Sequence, residues 1–323
     1  MAGFHRVLWG LTDVFVLHEV DPHIIDKDIC HFFEHQLSKL PKDHEGREKW
    51  PTDKQLDLLC RRAAGLFVYA VATVNFLNHH FKDPRVKLKL ILETPESTAW
   101  ERGAELKAYE NLDTLYKSVL NASFCKNNLE DNDAVRSVLG CMVLATDPLS
   151  PSTIATLTGF SRNEVENILE LIQSLLVLSS HPNEPVRPFH KSFPDFITDQ
   201  TRCADEWFFI SPNFHIDLFM YCLKLIGESR KNIPTLPDCD LIHKLEDWPE
   251  IERGAIPGAL EYACRSWHKH LDVIENPTPG VLQALRNFLE EKFGFWLVVL
   301  KALGGLRSTH MPMDVTTRWL KKV

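Results

Sequence analysis

Few reactive side chains in this 323-residue sequence stand at spacings that chemistry requires. His31 and His35 lie one helical turn apart beside Cys30, a geometry compatible with a metal ion. The order His-Glu-x-x-His is absent and no third ligand follows at a regular spacing, so packed or solvated histidines are expected and no metal site is assigned. His190 stands two residues before Ser192, but no elbow of glycines surrounds that serine and no orienting acid completes a nucleophilic set. No catalytic residue is assigned. Lys117-Ser118 and Lys191-Ser192 lack the glycines that let backbone amides wrap a phosphate, and no apolar strand ends in paired acids for magnesium. Nucleotide hydrolysis, and with it a bound cofactor, is not expected of this chain.

The eight cysteines are scattered without a Cys-x-x-Cys pair, and several fall inside apolar helical patterns. They read as buried free thiols behaving as small hydrophobes, which suits a reducing compartment. With 44% hydrophobic residues the chain can build two or three cores. Its 36 Lys and Arg against 44 Asp and Glu, a formal charge of -8, argue against a surface built to neutralise phosphates. No apolar run reaches the length of a membrane span and the N-terminus is not patterned as a signal peptide, so no membrane association is expected and the expected compartment is cytoplasmic.

The elements that must position any site are mostly helical. Asp13 to Leu17 reads as one short buried strand. Asp21 with Pro22 then opens an amphipathic helix through Ile25, Ile29, Phe33 and Leu37, and Thr52 with Gln55 forms a capping box for the next. Leu66 to Leu77 is apolar almost all round, which predicts a helix buried among others, and Arg85 to Leu92 predicts a short helix that closes this bundle. Breakers between Pro95 and Gly103 place a boundary there. Beyond it, helices around Leu112 to Leu120 and Val135 to Leu144 lead to two punctuated short ones. Ser150, Pro151 and Gly159 bracket the first, and Ser161 with Glu164 caps the second. Strand candidates Leu175 to Leu178 and Val186 to His190 flank the turn His181 to Pro185, so the unit reads as a helix-turn-helix followed by a wing. Helices return over Phe214 to Ile226, Ile256 to Leu271 and Val281 to Leu303.

Several strings occur in a telling order: Trp50-Pro51, then Ala64-Gly65-Leu66-Phe67-Val68-Tyr69-Ala70, Leu112-Asp113-Thr114-Leu115-Tyr116, Leu139-Gly140, Pro148-Leu149-Ser150, and Phe189-His190-Lys191-Ser192-Phe193-Pro194-Asp195-Phe196. Tyr262-Ala263-Cys264 with Trp267 and His270, and Phe288-Leu289 with Phe295-Trp296-Leu297, follow. Together, from about Leu17 to Leu303, they resemble the part of fungal NACHT-type NTPases, signal-transducing ATPases of the STAND class, that follows the nucleotide-binding core. The resemblance implies a mainly α protein: residues 1–20 as the remnant edge of a nucleotide-binding domain, 21–103 as a helical bundle, 104–205 as a central winged-helix domain with a small β-hairpin, and 206–323 as a C-terminal helical arm.

It further implies a switch that closes over ADP in a complete family member and opens into an oligomer when ATP replaces it. This chain, without the phosphate-binding loop, is then expected to be a non-catalytic regulatory fragment with protein partners or self-association. His190 matches the histidine that reaches the β-phosphate of ADP in this class; alternatively it is satisfied at a strand-to-helix corner, with Asp195 as partner. Phe67 stands where relatives place the proline of a Gly-Leu-Pro turn beside adenine; alternatively it is core. A winged-helix nucleic-acid-binding protein is the other reading, but residues 161–173 carry Glu164, Glu166 and Glu170 against a single Arg162, which disfavours nucleic acid.

Overall fold

The computed structural model describes residues 21–40, 50–78, 83–94, 104–124, 129–177, 183–203, 207–229, 254, 256–306 and 309–322. The expected strand at 13–17, the remnant at 1–20, Cys125, Cys239, Leu178 and the turn residues His181 and Pro182 lie outside them. The described chain is mainly helical, as expected, with a single two-stranded sheet among the described residues. It divides into two compact units after Ala122.

The first unit holds α1 (Pro22–Leu37), α2 (Asp53–Ala63), α3 (Phe67–Asn78), α4 (Pro84–Glu93) and nearly all of α5 (Ala104–Ser123). Asp21 caps α1 by accepting from the His23 N–H at 2.9 Å, and Pro22 fills a first-turn position whose missing donor costs nothing. The stripe Ile29, Phe33 and Leu37 is fully covered, each side chain contributing about 1.5 to 3 kcal/mol on burial. Thr52 and Gln55 exchange both bonds of the capping box that starts α2. That helix ends with Ala64 at φ 44° and Gly65 at φ 81°, a left-handed pair that turns the chain into α3. The last carbonyls of α4 have no helical partners, and the buried Arg62 supplies them: its guanidinium donates to Ile91 O, Leu92 O and Thr94 O at 2.6, 3.0 and 2.6 Å.

One expectation fails here. Cys30 and Cys60 are not free thiols but form a disulfide, because α1 packs on α2 and brings their Cα atoms to 5.5 Å across a separation of 30 residues. Cys141, Cys203, Cys222 and Cys264 are free and buried, as expected.

The second unit begins with α6 (Leu129–Leu144), α7 (Pro151–Thr158) and α8 (Arg162–Leu171). Ser150 accepts from the Thr153 N–H, Gly159 closes α7 at φ 83°, and Ser161 and Glu164 exchange the bonds of a capping box on α8. After a 3-10 turn, β1 (Leu176–Val177) pairs antiparallel with β2 (Arg187–Pro188), Leu176 opposite Pro188. Within the described residues the pairing covers two residues of each strand, and the Phe189 N–H adds a bond to Leu175 O just beyond it. α9 (Ser192–Ile197) and α10 (Gln200–Cys203) follow, then α11 (Phe214–Ser229) and α12 (Gly258–Val273).

α12 is the spine of this unit: α11 lies along it, and α7, α14 (Phe293–Ala302) and α15 (His310–Leu320) also pack on it. Such a helix must be apolar on more than one stripe, and Leu260, Ala263, Cys264, Trp267 and Leu271 are all covered. The helix expected over 281–303 is interrupted. A π stretch over Phe288–Lys292 joins α13 (Pro279–Asn287) to α14, and there Phe288 inserts beside Trp267 and Trp296, with ring centroids 4.8 and 6.0 Å away. α15 lies beyond the resemblance; it is anchored by the Trp319 indole donating to Ile274 O at 2.7 Å. Among the described residues no helix is long and apolar enough to cross a membrane.

Candidate functional site

His190 stands between β2 and α9, where the Phe189 N–H has just closed the hairpin on Leu175 O. Its own carbonyl accepts from the Phe193 N–H at 3.2 Å, so the backbone turns sharply and the ring is exposed. Nδ1 accepts from the Ser192 N–H at 3.2 Å and meets Ser192 Oγ at 2.7 Å. A backbone N–H can only donate, so in the neutral ring the proton sits on Nε2. The corner partner is therefore Ser192 and not Asp195, which is exposed one helical turn further on. Residue i+2 is the nearest donor that a ring at a helix start can reach.

Phe67 lies in the first unit. It is the first residue of α3 and 43% exposed, with its ring edge-on to Phe32 at 6.1 Å. Its apolar neighbours in sequence suggest core, but the left-handed turn at Ala64 and Gly65 starts the helix at Phe67 and leaves this first side chain outside. His31 faces Glu34 at 3.5 Å, and Cys30 is committed to Cys60.

The sequence reading did not assign a polar chain in the core of the second unit. The Thr146 N–H, just past α6, donates to the Tyr262 hydroxyl at 3.4 Å, so the hydroxyl proton is directed to His270 Nε2 at 2.7 Å. His270 Nδ1–H then points to His215 Nδ1 on α11 at 3.0 Å. Thr146 Oγ1 also meets Ser266 Oγ at 2.8 Å. Burial holds the His270 imidazole down to about 3, with His215 and Lys269 adding to the effect, and burial lowers His215 and raises the Tyr262 phenol. The whole chain is thus neutral and satisfied in one direction. Its sequence signal is faint: Tyr262, Ser266 and His270 recur at every fourth position of α12.

Beside this chain a cleft of about 820 Å³ runs along α12. Glu261, Arg265, His268 and Lys269 line one wall; the Asp147–Ser150 segment lines another. Arg265 Nε pairs with Glu261 at 3.1 Å and its Nη2 donates to Leu303 O at 3.1 Å. Lys269 Nζ is 3.6 Å from Asp147. His268 is 9% exposed, its Nδ1 has no hydrogen-bond partner among the described residues, and burial followed by the Lys269 charge lowers its imidazole to about 4.

No protein-family signature, curated protein or solved structure matches this chain.

Proposed function

We propose that this chain is a non-catalytic regulatory and interaction fragment of a fungal NACHT-type NTPase of the STAND class, one that would close over ADP in a complete protein and engage protein partners or copies of itself when open. In this reading residues 21–103 form a helical bundle, 104–205 a winged-helix domain and 206–323 a helical arm. The observation that carries it is His190. Its Nδ1 is used by Ser192, so its Nε2–H is left as an exposed donor at the corner after the hairpin, the orientation a contact to an anionic phosphate oxygen needs. Cytoplasmic location belongs to the same proposal and is opposed by the Cys30–Cys60 disulfide, a bond that a reducing compartment rarely keeps.

The test joins the chain to a nucleotide-binding domain of this family and follows ADP release. Loss of a charge-assisted bond of about 2 kcal/mol shifts a closed-to-open ratio roughly thirtyfold, so His190→Ala should accelerate ADP release and increase self-association. A lower melting temperature with an unaltered off-rate would show that the ring only holds the corner. Phe67 beside the adenine is the weaker part of the reading; its exposure is compatible with packing on a base.

A winged-helix nucleic-acid-binding protein is the second reading, favoured by the order α7, α8, β1, β2. The exposed face of α8 opposes it. Glu164 and Glu170 are exposed there, and Arg162 is held by Glu166 at 2.7 Å. Gel shifts at low salt decide: tight duplex binding with a steep salt slope would favour this alternative.

A further inference from the structure

We infer that the cleft along α12 is a binding site for a small oxyanion-bearing ligand, phosphate or carboxylate, held by Arg265, His268 and Lys269. This goes beyond the switch proposed above and does not depend on it.

The three basic side chains sit at i, i+3 and i+4 on one helix and so share a face, and all three line the cleft. A volume of about 820 Å³ falls within the range of small-molecule sites. The decisive group is His268. A ring nine-tenths covered by protein normally finds a partner for each polar atom, and its Nδ1 has none. An acceptor placed in the cleft would take the Nδ1–H. The neighbouring groups specify a negative one. Arg265 is held in place by Glu261 and by the Leu303 carbonyl, and its Nη1 has no partner among the described residues. Among the described residues Lys269 has only long contacts, 3.6 Å to Asp147 and 3.4 Å to Thr146 Oγ1. Asp147 and Lys269 are both near half-exposed or more, and a pair of that kind contributes little, so an incoming oxyanion can replace Asp147 on Lys269 at small cost. Glu261 remains and orients Arg265. The two acids keep the lining balanced when empty, and exchange of Asp147 for the ligand preserves that balance.

The site also carries a linked proton. Burial and Lys269 keep His268 neutral in the empty cleft. An anion beside it raises its proton affinity, so binding takes up a proton and tightens as pH falls.

Calorimetric titration of the full chain with sodium sulfate tests this, since sulfate remains a dianion throughout the range used, with sodium chloride at matched ionic strength as the control. Saturable binding is expected, tightening between about pH 7.5 and about pH 5.5. Arg265→Gln and Lys269→Gln should each weaken it at least about tenfold, the equivalent of one charge-assisted bond. Asp147→Asn, an exposed change with no fold to lose, should tighten it several-fold, and His268→Asn should remove the pH dependence. Parallel titrations with inorganic phosphate and with acetate distinguish a tetrahedral from a carboxylate ligand. The inference is overturned by the absence of saturable heat with any of the three anions, or by binding that Lys269→Gln and Asp147→Asn leave unchanged while circular dichroism shows intact helices.

Discussion

Tyr262 donates its hydroxyl proton to Nε2 of His270 across 2.7 Å, and both side chains are buried within the same helix, two turns apart. The bond fixes the tautomer of His270 and, through it, the direction of the bond to His215 on α11. It thereby ties the two longest-paired helices of the second unit through polar groups as well as apolar ones.

Tyr262→Phe should therefore destabilise the second unit. The ring fits as before, but His270 Nε2 loses its partner in a covered site, while the N–H of the exposed Thr146 turns to water, a loss of about 1 to 3 kcal/mol. Urea unfolding followed by tryptophan fluorescence measures it. A change within error would mean that water replaces the hydroxyl without cost.

Stability should fall on acidification below the histidine range. The unfolded chain binds protons at its histidines near 6.5, whereas His270 in the fold resists protonation until about 3 and His268 until about 4. Between those limits the unfolded state holds more protons, so stability is full above 6.5 and declines as pH falls, at up to about 1.4 kcal/mol per pH unit for His270 alone. Proton NMR of the His270 ring checks the cause directly: titration of His270 near its ordinary value would refute it.

Two glycines should respond to alanine for different reasons. A Cβ on Gly159 meets nothing, but its φ of 83° strains any L-residue, and a loss of about 1 kcal/mol is expected. A Cβ on Gly140 would collide with the Phe214 ring, so Gly140→Ala must displace that ring from its place against α6 at a cost of about 1 to 3 kcal/mol. Comparing melting temperatures of Gly140→Ala and Phe214→Leu/Gly140→Ala separates them, since only the Gly140 defect should be relieved by the smaller partner.

The Cys30–Cys60 disulfide closes a separation of 30 residues and should stabilise the first unit by about 3 to 4 kcal/mol through the unfolded chain. Reduction should lower its melting temperature, and Cys30→Ser should abolish that sensitivity. A non-reduced peptide map lacking the cross-linked pair would count against the bond itself.

The helix starts and stops were legible because each is a bond made within four residues. Asp21 with His23, Thr52 with Gln55, Ser150 with Thr153, and Ser161 with Glu164 are local geometries that the residue types by themselves specify, and Gly159 ends α7 for an equally local reason. The mainly α character follows from the same periodicities.

What only the tertiary structure decided are relations between distant positions. Cys30 and Cys60 carry no spacing motif, and only the packing of α1 on α2 makes them partners. Phe67 belongs to an apolar run, yet the place where α3 begins puts it outside. His190 turns to Ser192, whose N–H is offered where α9 starts, and Asp195 is not its partner. His215 and His270 are 55 residues apart, and His268 shares its cleft with the Asp147–Ser150 segment and with Met311 and Pro312 of α15. Backbone caps are short-range and are encoded where they act; burial and partner choice depend on which faces meet, a property of the packed chain as a whole.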